Sequence, residues 1–208
     1  MAELLVIRHG QASFGAADYD VLSETGRAQA RRAGAWLRSH GWVPDRVLTG
    51  GLRRQRNTAA EMRLAGAEAH PGLDEYDSAA LLARRPFAGG DRRAYFGHLR
   101  DVVHDWIDGA DGGGETFAAF AARVEAARAH AMRPGARRVL AISSGGVVGR
   151  LVAQTLDAPP RMMMALNLQV RNTAMTRWIY SERGMHLHSF NALPHLSAPE
   201  DAALETLA

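Results

Sequence analysis

One stretch near the start of the chain decides the fold: Leu4-Leu5-Val6-Ile7-Arg8-His9-Gly10. Four apolar residues in succession predict a short buried strand. Arg8 and His9 follow at the carboxyl end of that strand, where open α/β sheets bind their ligands. Arginine presents a planar charged fork that suits phosphate oxygens, and a neutral imidazole can attack phosphorus. The stretch therefore predicts an α/β protein with a phosphate site at His9.

A second strand, turn and helix occur later in the chain. The segment Arg138–Ile142 predicts a central strand, Ser143-Ser144-Gly145-Gly146 a tight turn, and Val147–Leu156 a helix. Backbone N–H groups at a helix N-terminus attract anions through hydrogen bonds and the helix dipole. This turn is therefore a candidate cradle for an anion.

The rest of the chain alternates between further strands and helices. Ser23 is a candidate N-cap for a helix that ends before Gly41. The segment Ser78–Arg93 lacks a clean period, so we expect an irregular insertion over the sheet. The polar, Ala-rich residues after Pro199 predict a loosely docked tail. Further predicted elements are a strand at Arg46–Thr49, a helix at Leu52–Leu64, an extended segment at Ala67–His70, helices at Arg92–Ile107 and Glu115–Ala131, and two antiparallel strands within Ala165–Phe190.

Length and composition bound the class of protein. A chain of 208 residues suits one α/β domain over residues 1–208. Hydrophobic residues make up 47% and charged residues 23%, as in soluble globular proteins, and no apolar stretch approaches membrane-spanning length. The apolar segment at the start is too short for a signal peptide. We therefore expect a cytoplasmic protein with no membrane partner.

Charge and ligand-type residues argue against two other classes. The net charge is +3, but all Lys and Arg positions are Arg, and no basic stripe interleaved with aromatic residues indicates nucleic-acid binding. The absence of cysteine excludes disulfides and thiolate metal sites. His186 and His188 lie two apart on a predicted strand, yet no third ligand lies nearby. We predict no nucleic-acid partner, no metal and no cofactor, and the oligomeric state stays open.

The motifs occur in an order that resembles the histidine phosphatase superfamily, also called the phosphoglycerate mutase-like proteins. They lie at residues 5–10 (L-V-I-R-H-G), 22–26 with 29–30, 52–54 with 58–59, 73–75, 114–116 and 142–147. Several matches in order over most of the chain are far more specific than the tripeptide Arg8-His9-Gly10 alone. The resemblance implies a three-layer α/β/α sandwich with a mostly parallel central sheet.

The resemblance also implies catalytic roles. His9 would be the nucleophile that becomes phosphorylated, and Arg8 and Arg54 would hold the phosphoryl oxygens. Glu75 would protonate the departing alcohol oxygen and then deprotonate the incoming water. Its pKa would have to be raised by burial for that role.

One motif departs from the family pattern. Members usually read S-H-G-G where this chain has Ser143-Ser144-Gly145-Gly146, so Ser144 replaces a histidine that hydrogen-bonds the transferring phosphoryl group. The loss of one such donor costs about 3 kcal/mol, or roughly two to three orders of magnitude in rate. We therefore expect slow catalysis, with Ser144 as a weaker donor, and expect Ser144→His to raise the rate. A histidine from elsewhere, such as His70 or His195, could fill the vacated position.

Four further residues are predicted substrate contacts. The family often has a small polar residue and an Asn soon after R-H-G; this chain departs from that pattern, and Gln11 and Ser13 are the polar residues that it offers there. Ser143 offers a hydroxyl, and Gly145 lets a backbone N–H group approach an anion closely.

The sequence leaves several functions open. The first is a phosphomonoesterase that acts on a small phosphorylated substrate through His9, with activity weakened at Ser144. The second is a non-catalytic phosphate-binding or protein-binding member of the family, with inorganic phosphate as one ligand. A phosphoglycerate mutase is less favoured, because no cation follows Glu75 closely in sequence. A serine hydrolase using Ser143 would leave Arg8, His9 and Arg54 without a role.

Overall fold

A six-stranded sheet lies at the centre of the computed structural model, which describes residues 1–13 and 20–207. The strands are β1 Ala2–Arg8, β2 Arg46–Thr49, β3 Glu68–Ala69, β4 Arg138–Ser143, β5 Met175–Ser181 and β6 Gly184–Ala192. Their order across the sheet is β3-β2-β4-β1-β5-β6. The strand that carries Arg8 at its end is therefore central.

The pairing confirms a mostly parallel sheet. Strands β3, β2, β4 and β1 are parallel to one another, and β5 and β6 extend the sheet antiparallel to β1. Strands β1 and β4 are buried over most of their length, which agrees with their continuous apolar sequences. Arg8 lies opposite Ser143 in the register, so the loops after β1 and β4 leave the sheet side by side.

Helices cover both faces of the sheet, as the three-layer arrangement requires. Leu5 packs in a core with Ala33 on one face, and Leu4 packs in a core with Val148 on the other. No helix in the described part of the chain is both long and apolar enough to cross a bilayer. The helices are α1 Glu24–Ser39, α2 Arg53–Glu61, α3 Ser78–Arg84, α4 Arg92–Ile107, α5 Phe117–Met132, α6 Gly145–Thr155 and α7 Met162–Asn167, with 3₁₀ turns at Pro71–Leu73, Pro194–Leu196 and Pro199–Leu204.

Several local predictions are confirmed. Ser23 caps α1, because its hydroxyl accepts a hydrogen bond from the Gly26 backbone N at 3.0 Å. The strand at Arg46–Thr49 and the helix at Arg92–Ile107 have the predicted bounds. The two final strands are antiparallel, as expected.

Three segments differ from the prediction. Ser78–Arg93 is not irregular throughout, since it begins with α3, whose seven residues are too few to display a clear hydrophobic period. Helix α6 begins at Gly145, two residues earlier than predicted. Ala165–Asn167 ends α7 instead of beginning a strand, so β5 starts only at Met175. Short apolar segments do not distinguish helix from strand by pattern alone.

The segment after Pro199 is docked more firmly than we predicted. Asp201 is 3% exposed and pairs with Arg32 on α1 at 3.1 Å. The buried amide of Gln29, also on α1, donates to the Thr206 hydroxyl at 2.8 Å. These polar contacts to a distant helix hold residues 199–207 against the body of the protein, and composition gives no sign of them.

Candidate active site

The imidazole of His9 directly follows β1 and is oriented by two neighbours. Its Nδ1 lies 2.7 Å from the Gly10 carbonyl oxygen. The Nε of Arg54 donates to its Nε2 at 3.2 Å. A ring nitrogen beside a carbonyl oxygen carries the proton, whereas one that accepts from a guanidinium carries the lone pair. Both contacts therefore require the Nδ1–H tautomer, with the nucleophilic lone pair on Nε2.

The environment of His9 keeps the ring neutral. Burial lowers the pKa of His9 well below its usual value, because the residue is only 4% exposed. The guanidinium groups of Arg8 and Arg54 lower the pKa further, and the hydrogen bond to Gly10 opposes them. A neutral imidazole at physiological pH is the form that can attack phosphorus.

The turn after His9 is pressed between two helices. The Gly10 backbone N donates to the Thr58 hydroxyl at 3.0 Å, and that hydroxyl donates to the Arg54 carbonyl oxygen at 2.7 Å. A Cβ atom on Gly10 would lie 2.4 Å from the Gly26 carbonyl oxygen of α1. Only glycine allows this close approach, which ties the position of His9 to α1 and α2.

Arg8 and Arg54 are among the arginines that line the cavity containing His9. Arg8 ends β1, and its Nη1 donates to the Val170 carbonyl oxygen. Arg54 lies in the first turn of α2, and its Nη1 pairs with Asp20 at 2.7 Å. Asp20 also accepts from the Arg53 backbone N at 2.8 Å, which places a carboxylate at the N-terminus of α2. The two guanidinium groups are thus held in place and can bind phosphoryl oxygens.

Glu75 reaches the same cavity from the loop after the 3₁₀ turn Pro71–Leu73. Its Oε2 accepts from the Gly146 backbone N at 2.9 Å. Burial raises the pKa of Glu75, although that hydrogen bond and the charges of Arg54 and Arg8 oppose the rise. A side chain at Gly146 would collide with Glu75, since a Cβ would lie 2.3 Å from Oε1. The carboxyl group is therefore held in a fixed position at the N-terminus of α6, where a raised pKa favours its protonated form.

The cavity that these four residues share measures about 920 Å³. Arg8, His9, Arg54 and Glu75 contribute polar groups to its lining, and Tyr95, Phe96 and Leu99 of α4 contribute an apolar wall. The segment after Pro199, at residues 205–207, forms part of the rim. Among residues 1–13 and 20–207, the lining residues are Arg8, His9, Gln11, Arg54, Glu75, Tyr76, Ser78, Arg92, Arg93, Tyr95, Phe96, Leu99, Asn167, Leu168, Glu205, Thr206 and Leu207.

The hydroxyls of Ser143 and Ser144 do not line this cavity. Both residues are fully buried. The Ser143 hydroxyl donates to the Leu73 carbonyl oxygen at 2.7 Å, and the Ser144 hydroxyl accepts from the Gln55 amide at 2.9 Å. Gln55 also donates to the Leu73 carbonyl oxygen at 2.8 Å. The structure thus places both serines in a packed hydrogen-bond network behind the cavity.

Of the remaining predicted substrate contacts, one lines the cavity and two do not. Gln11 lines the cavity, and its side-chain oxygen accepts from the Ser23 hydroxyl at 2.8 Å. Ser13 lies outside the lining, with its backbone N bonded to the Val21 carbonyl oxygen. Gly145 is buried against Asn167, and the Gly146 N–H is taken by Glu75, so the predicted anion cradle holds a carboxylate of the protein itself.

In the described part of the chain, neither candidate histidine occupies the position that Ser144 leaves. His70 lies at the far edge of the sheet, with its ring centroid 5.0 Å from that of His130. His195 is buried beside Thr173, whose hydroxyl lies 2.9 Å from its Nε2, and burial lowers its pKa to about 4. Within residues 1–13 and 20–207, neither ring lines the cavity.

Metal-ligand residues do not cluster in the part of the chain that the structure describes. No group of three or more His, Cys, Asp or Glu side chains there could hold a metal ion. His186 and His188 both lie exposed on β6, on one face of the strand.

Sequence reasoning missed three contributors to the site. Asp20 orients Arg54, Gln55 occupies the space beside Ser144, and residues 205–207 form part of the rim. The signal for Gln55 is its place next to Arg54 on a helix that must face the sheet. Asp20 and the rim carry no sequence signal, because their contacts are long-range.

Comparison with known families identifies the family of this chain. The profile of the histidine phosphatase superfamily (branch 1) matches residues 4–193. The chain belongs to this superfamily, and its fold and motif order agree with that membership.

One individual relative matches a shorter stretch of this chain than the family profile does. The 2,3-bisphosphoglycerate-dependent phosphoglycerate mutase of Methylorubrum populi is 38% identical over 141 residues, which cover 60% of this chain and 64% of that protein. This chain thus spans less than two thirds of that relative's length.

Two solved structures share the fold. A phosphoserine phosphatase from Entamoeba histolytica, in complex with phosphoserine, has a TM-score of 0.70 and 20% identity, covering 94% of this chain and 100% of its own. A mycobacterial glucosyl-3-phosphoglycerate phosphatase, in complex with inorganic phosphate, has a TM-score of 0.66 and 24% identity, covering 95% and 100%. At these identities the likeness extends to the fold alone.

Proposed function

We propose that the protein is a phosphomonoesterase that works through a phosphohistidine at His9, without a metal or cofactor. The observation that carries the proposal is the neutral His9 ring, whose Nε2 accepts from Arg54 in a cavity shared with Arg8 and Glu75. Membership of the histidine phosphatase superfamily supports it, as do structural neighbours that are phosphatases.

The first half of the reaction forms a phosphoenzyme. Nε2 of His9 attacks phosphorus while the bond from phosphorus to the ester oxygen breaks. Burial raises the pKa of Glu75 and so favours the protonated carboxyl, which gives its proton to the departing alcohol oxygen. Arg8 and Arg54 stabilise the charge on the phosphoryl oxygens.

The second half restores the enzyme. Glu75, now a carboxylate, takes a proton from water as the water oxygen attacks phosphorus. The bond between phosphorus and Nε2 breaks, inorganic phosphate leaves, and His9 returns to the neutral ring. No electrons are exchanged with a further reactant, so water and the ester are sufficient.

The network around Ser144 bears on the rate. A neutral hydroxyl that already accepts from Gln55 behind the cavity replaces the charged donor that the family pattern places there. We infer that the phosphatase is slow, by roughly two to three orders of magnitude relative to a site with that donor. Arg8 and Arg54 then stabilise the phosphoryl charge without that additional donor.

The test is to follow the phosphoryl group on the protein. We expect hydrolysis of a generic aryl phosphate, inhibition by vanadate and an acid-labile phosphoenzyme, all lost in His9→Ala. The matched control is His186→Ala, which removes an exposed histidine on β6 and should change none of the three. Turnover no greater than that of His9→Ala, with phosphate still bound, would favour the non-catalytic alternative.

Two further assays separate the other two alternatives. A mutase would transfer label between phosphoglycerate positions faster than it releases phosphate, as the name of the Methylorubrum relative suggests for that protein. A serine hydrolase would react with a fluorophosphonate at Ser143. We expect neither, since the hydroxyl of Ser143 is buried and bonded to Leu73.

A further inference from the structure

The cavity is much larger than a phosphoryl group requires. Arg8, His9, Arg54 and Glu75 account for one end of a space of about 920 Å³. Pockets of roughly 300–1,000 Å³ enclose whole drug-sized molecules. The remaining space can therefore enclose the alcohol part of a sizeable ester.

The wall beside the phosphate end is apolar and built on one helix. Tyr95 and Leu99 of α4 are four residues apart, and Phe96 and Leu99 are three apart, so all three share a helix face. Leu168 adds a further apolar side chain to the lining. The rings of Tyr95 and Phe96 are half-buried, at a centroid distance of 5.5 Å and an interplanar angle of 76°. Such a wall favours a flat ring system over a small hydrophilic alcohol.

Positive charge lies at the start of the same helix. Arg92 and Arg93 are exposed and line the cavity, and the guanidinium carbon of Arg92 lies 5.5 Å from the centre of the Phe96 ring. Arg84 and Arg85, which sequence alone does not distinguish from them, instead pair with Asp111 and Asp105.

The acidic residue on the rim does not cancel this charge. Glu205 lines the cavity but pairs with Arg171 at 2.6 Å. The side chain of Arg93 has no hydrogen bond or ion pair within residues 1–13 and 20–207. The cavity edge near α4 is thus able to attract a second negative group.

We propose that the substrate is a phosphate monoester of an alcohol that carries a ring system and a further anionic group. The phosphoryl group binds at His9, the rings pack against Tyr95, Phe96 and Leu99, and the second anion faces Arg93. This proposal rests on the proposed phosphatase function and narrows its substrate class. It distinguishes the site from one built for a compact ester such as phosphoserine.

The ring is tested with esters of primary alcohols, whose leaving groups have similar pKa values. We expect kcat/KM to be at least about tenfold higher for 2-(2-naphthyl)ethyl phosphate than for ethyl phosphate. Phe96→Ala should reduce that ratio by a factor of about five. The control Phe117→Ala removes a partly buried ring outside the cavity and should keep the ratio. Equal kcat/KM for both esters, or a ratio that Phe96→Ala does not change, would overturn the proposal.

The second anion is tested on the same scaffold with a carboxylate on the outer ring. Arg93→Gln should lower the ratio of kcat/KM for the carboxylated to the uncarboxylated ester by up to about fivefold, since the pair is exposed. Arg100→Gln, on the same helix but outside the cavity, is the control. Equal ratios in the Arg93→Gln variant and the unmodified chain would overturn this part.

The outcome is separable from failure of the phosphatase function. If no ester is hydrolysed, the proposed function fails, and calorimetric binding of the same three esters decides the ligand class. Tighter binding of the naphthyl ester than of ethyl phosphate would support that class. Equal binding would overturn it.

Discussion

The ends of β1 and β4 lie side by side in the sheet, yet the residues at the two ends have different surroundings and contacts. Arg8 and His9 at the end of β1 line the cavity, and a bond from Arg54 orients the imidazole. At the end of β4, the Ser143 hydroxyl donates to the Leu73 carbonyl oxygen, and the Ser144 hydroxyl accepts from the Gln55 amide. Both ends are buried and both are polar. The register alone brings them to one edge but does not give them one role.

The difference lies in what faces each strand end. Beyond β1 there is an open cavity, whereas beyond β4 the first turn of α6 meets Glu75, whose carboxylate takes the Gly146 N–H. A helix N-terminus that is already occupied by a carboxylate repels a phosphoryl anion unless that carboxylate is protonated. Burial raises the pKa of Glu75, which favours the protonated state. In the proposed mechanism, the end of β4 therefore contributes through Glu75 and not through its serines.

The largest expected effect comes from removing the proton that Glu75 supplies. Glu75→Gln should lower kcat for alkyl phosphates by a factor of about 10² to 10⁴. The unmodified enzyme should lose rate as the pH rises through the raised pKa of Glu75, because the carboxyl then has no proton to donate. That alkaline limb should be absent in Glu75→Gln, as pH–rate profiles of both proteins would reveal.

Two controls sharpen this prediction. Glu68→Gln alters an exposed glutamate on β3 and should leave the profile unchanged. p-Nitrophenyl phosphate has a leaving group that needs little protonation, so Glu75→Gln should slow it less than an alkyl ester. An equal loss on both esters would argue that Glu75 only shapes the cavity.

The contrast between the strand ends also explains what the sequence could predict. Apolar runs that end in Arg8-His9 and Ser143-Ser144 identify the strands, because continuous burial and a turn leave a clear pattern. Ser23 predicts the start of α1, because an N-cap hydrogen bond joins residues that are close in sequence. The roles of the serines depend on Gln55, a residue 89 positions away from Ser144, and no local pattern encodes that contact.

The docking of residues 199–207 is a second case of long-range contact. The Gln29 amide and the Thr206 hydroxyl are 177 positions apart, and both are ordinary polar residues in sequence. The composition of the segment predicts loose attachment, since composition records hydrophobicity and not specific hydrogen bonds. Segments of this kind become predictable only when the fold brings their partners together.

A smaller effect is expected at Ser144, where the structure changes our view of the Ser144→His variant. The larger ring would collide with Gln55, whose amide donates to Ser144 at 2.9 Å in a fully buried space. Overpacking of this kind costs about 1–3 kcal/mol of unfolding free energy. We therefore expect Ser144→His alone to be destabilised in urea unfolding, with no gain in kcat.

A double variant that removes the collision tests this explanation most directly. The double variant Gln55→Ala with Ser144→His should regain stability relative to Ser144→His and should exceed the unmodified chain in kcat. Gln55→Ala alone controls for the loss of its bonds to Leu73 and Ser144. A rise in kcat in Ser144→His alone would mean that the network does not block the ring.

The smallest effect is expected at Ser143, the register partner of Arg8. Ser143→Ala removes one hydrogen bond to the Leu73 carbonyl oxygen, which still accepts from Gln55 at 2.8 Å. Because the acceptor keeps a donor, the unfolding free energy should fall by only about 0.5–1.5 kcal/mol. Urea unfolding would measure this loss, and kcat/KM should fall far less than in Glu75→Gln. A loss of turnover as large as that in His9→Ala would instead indicate that Ser143 takes part in the reaction, so that the ends of β4 and β1 would no longer differ in role.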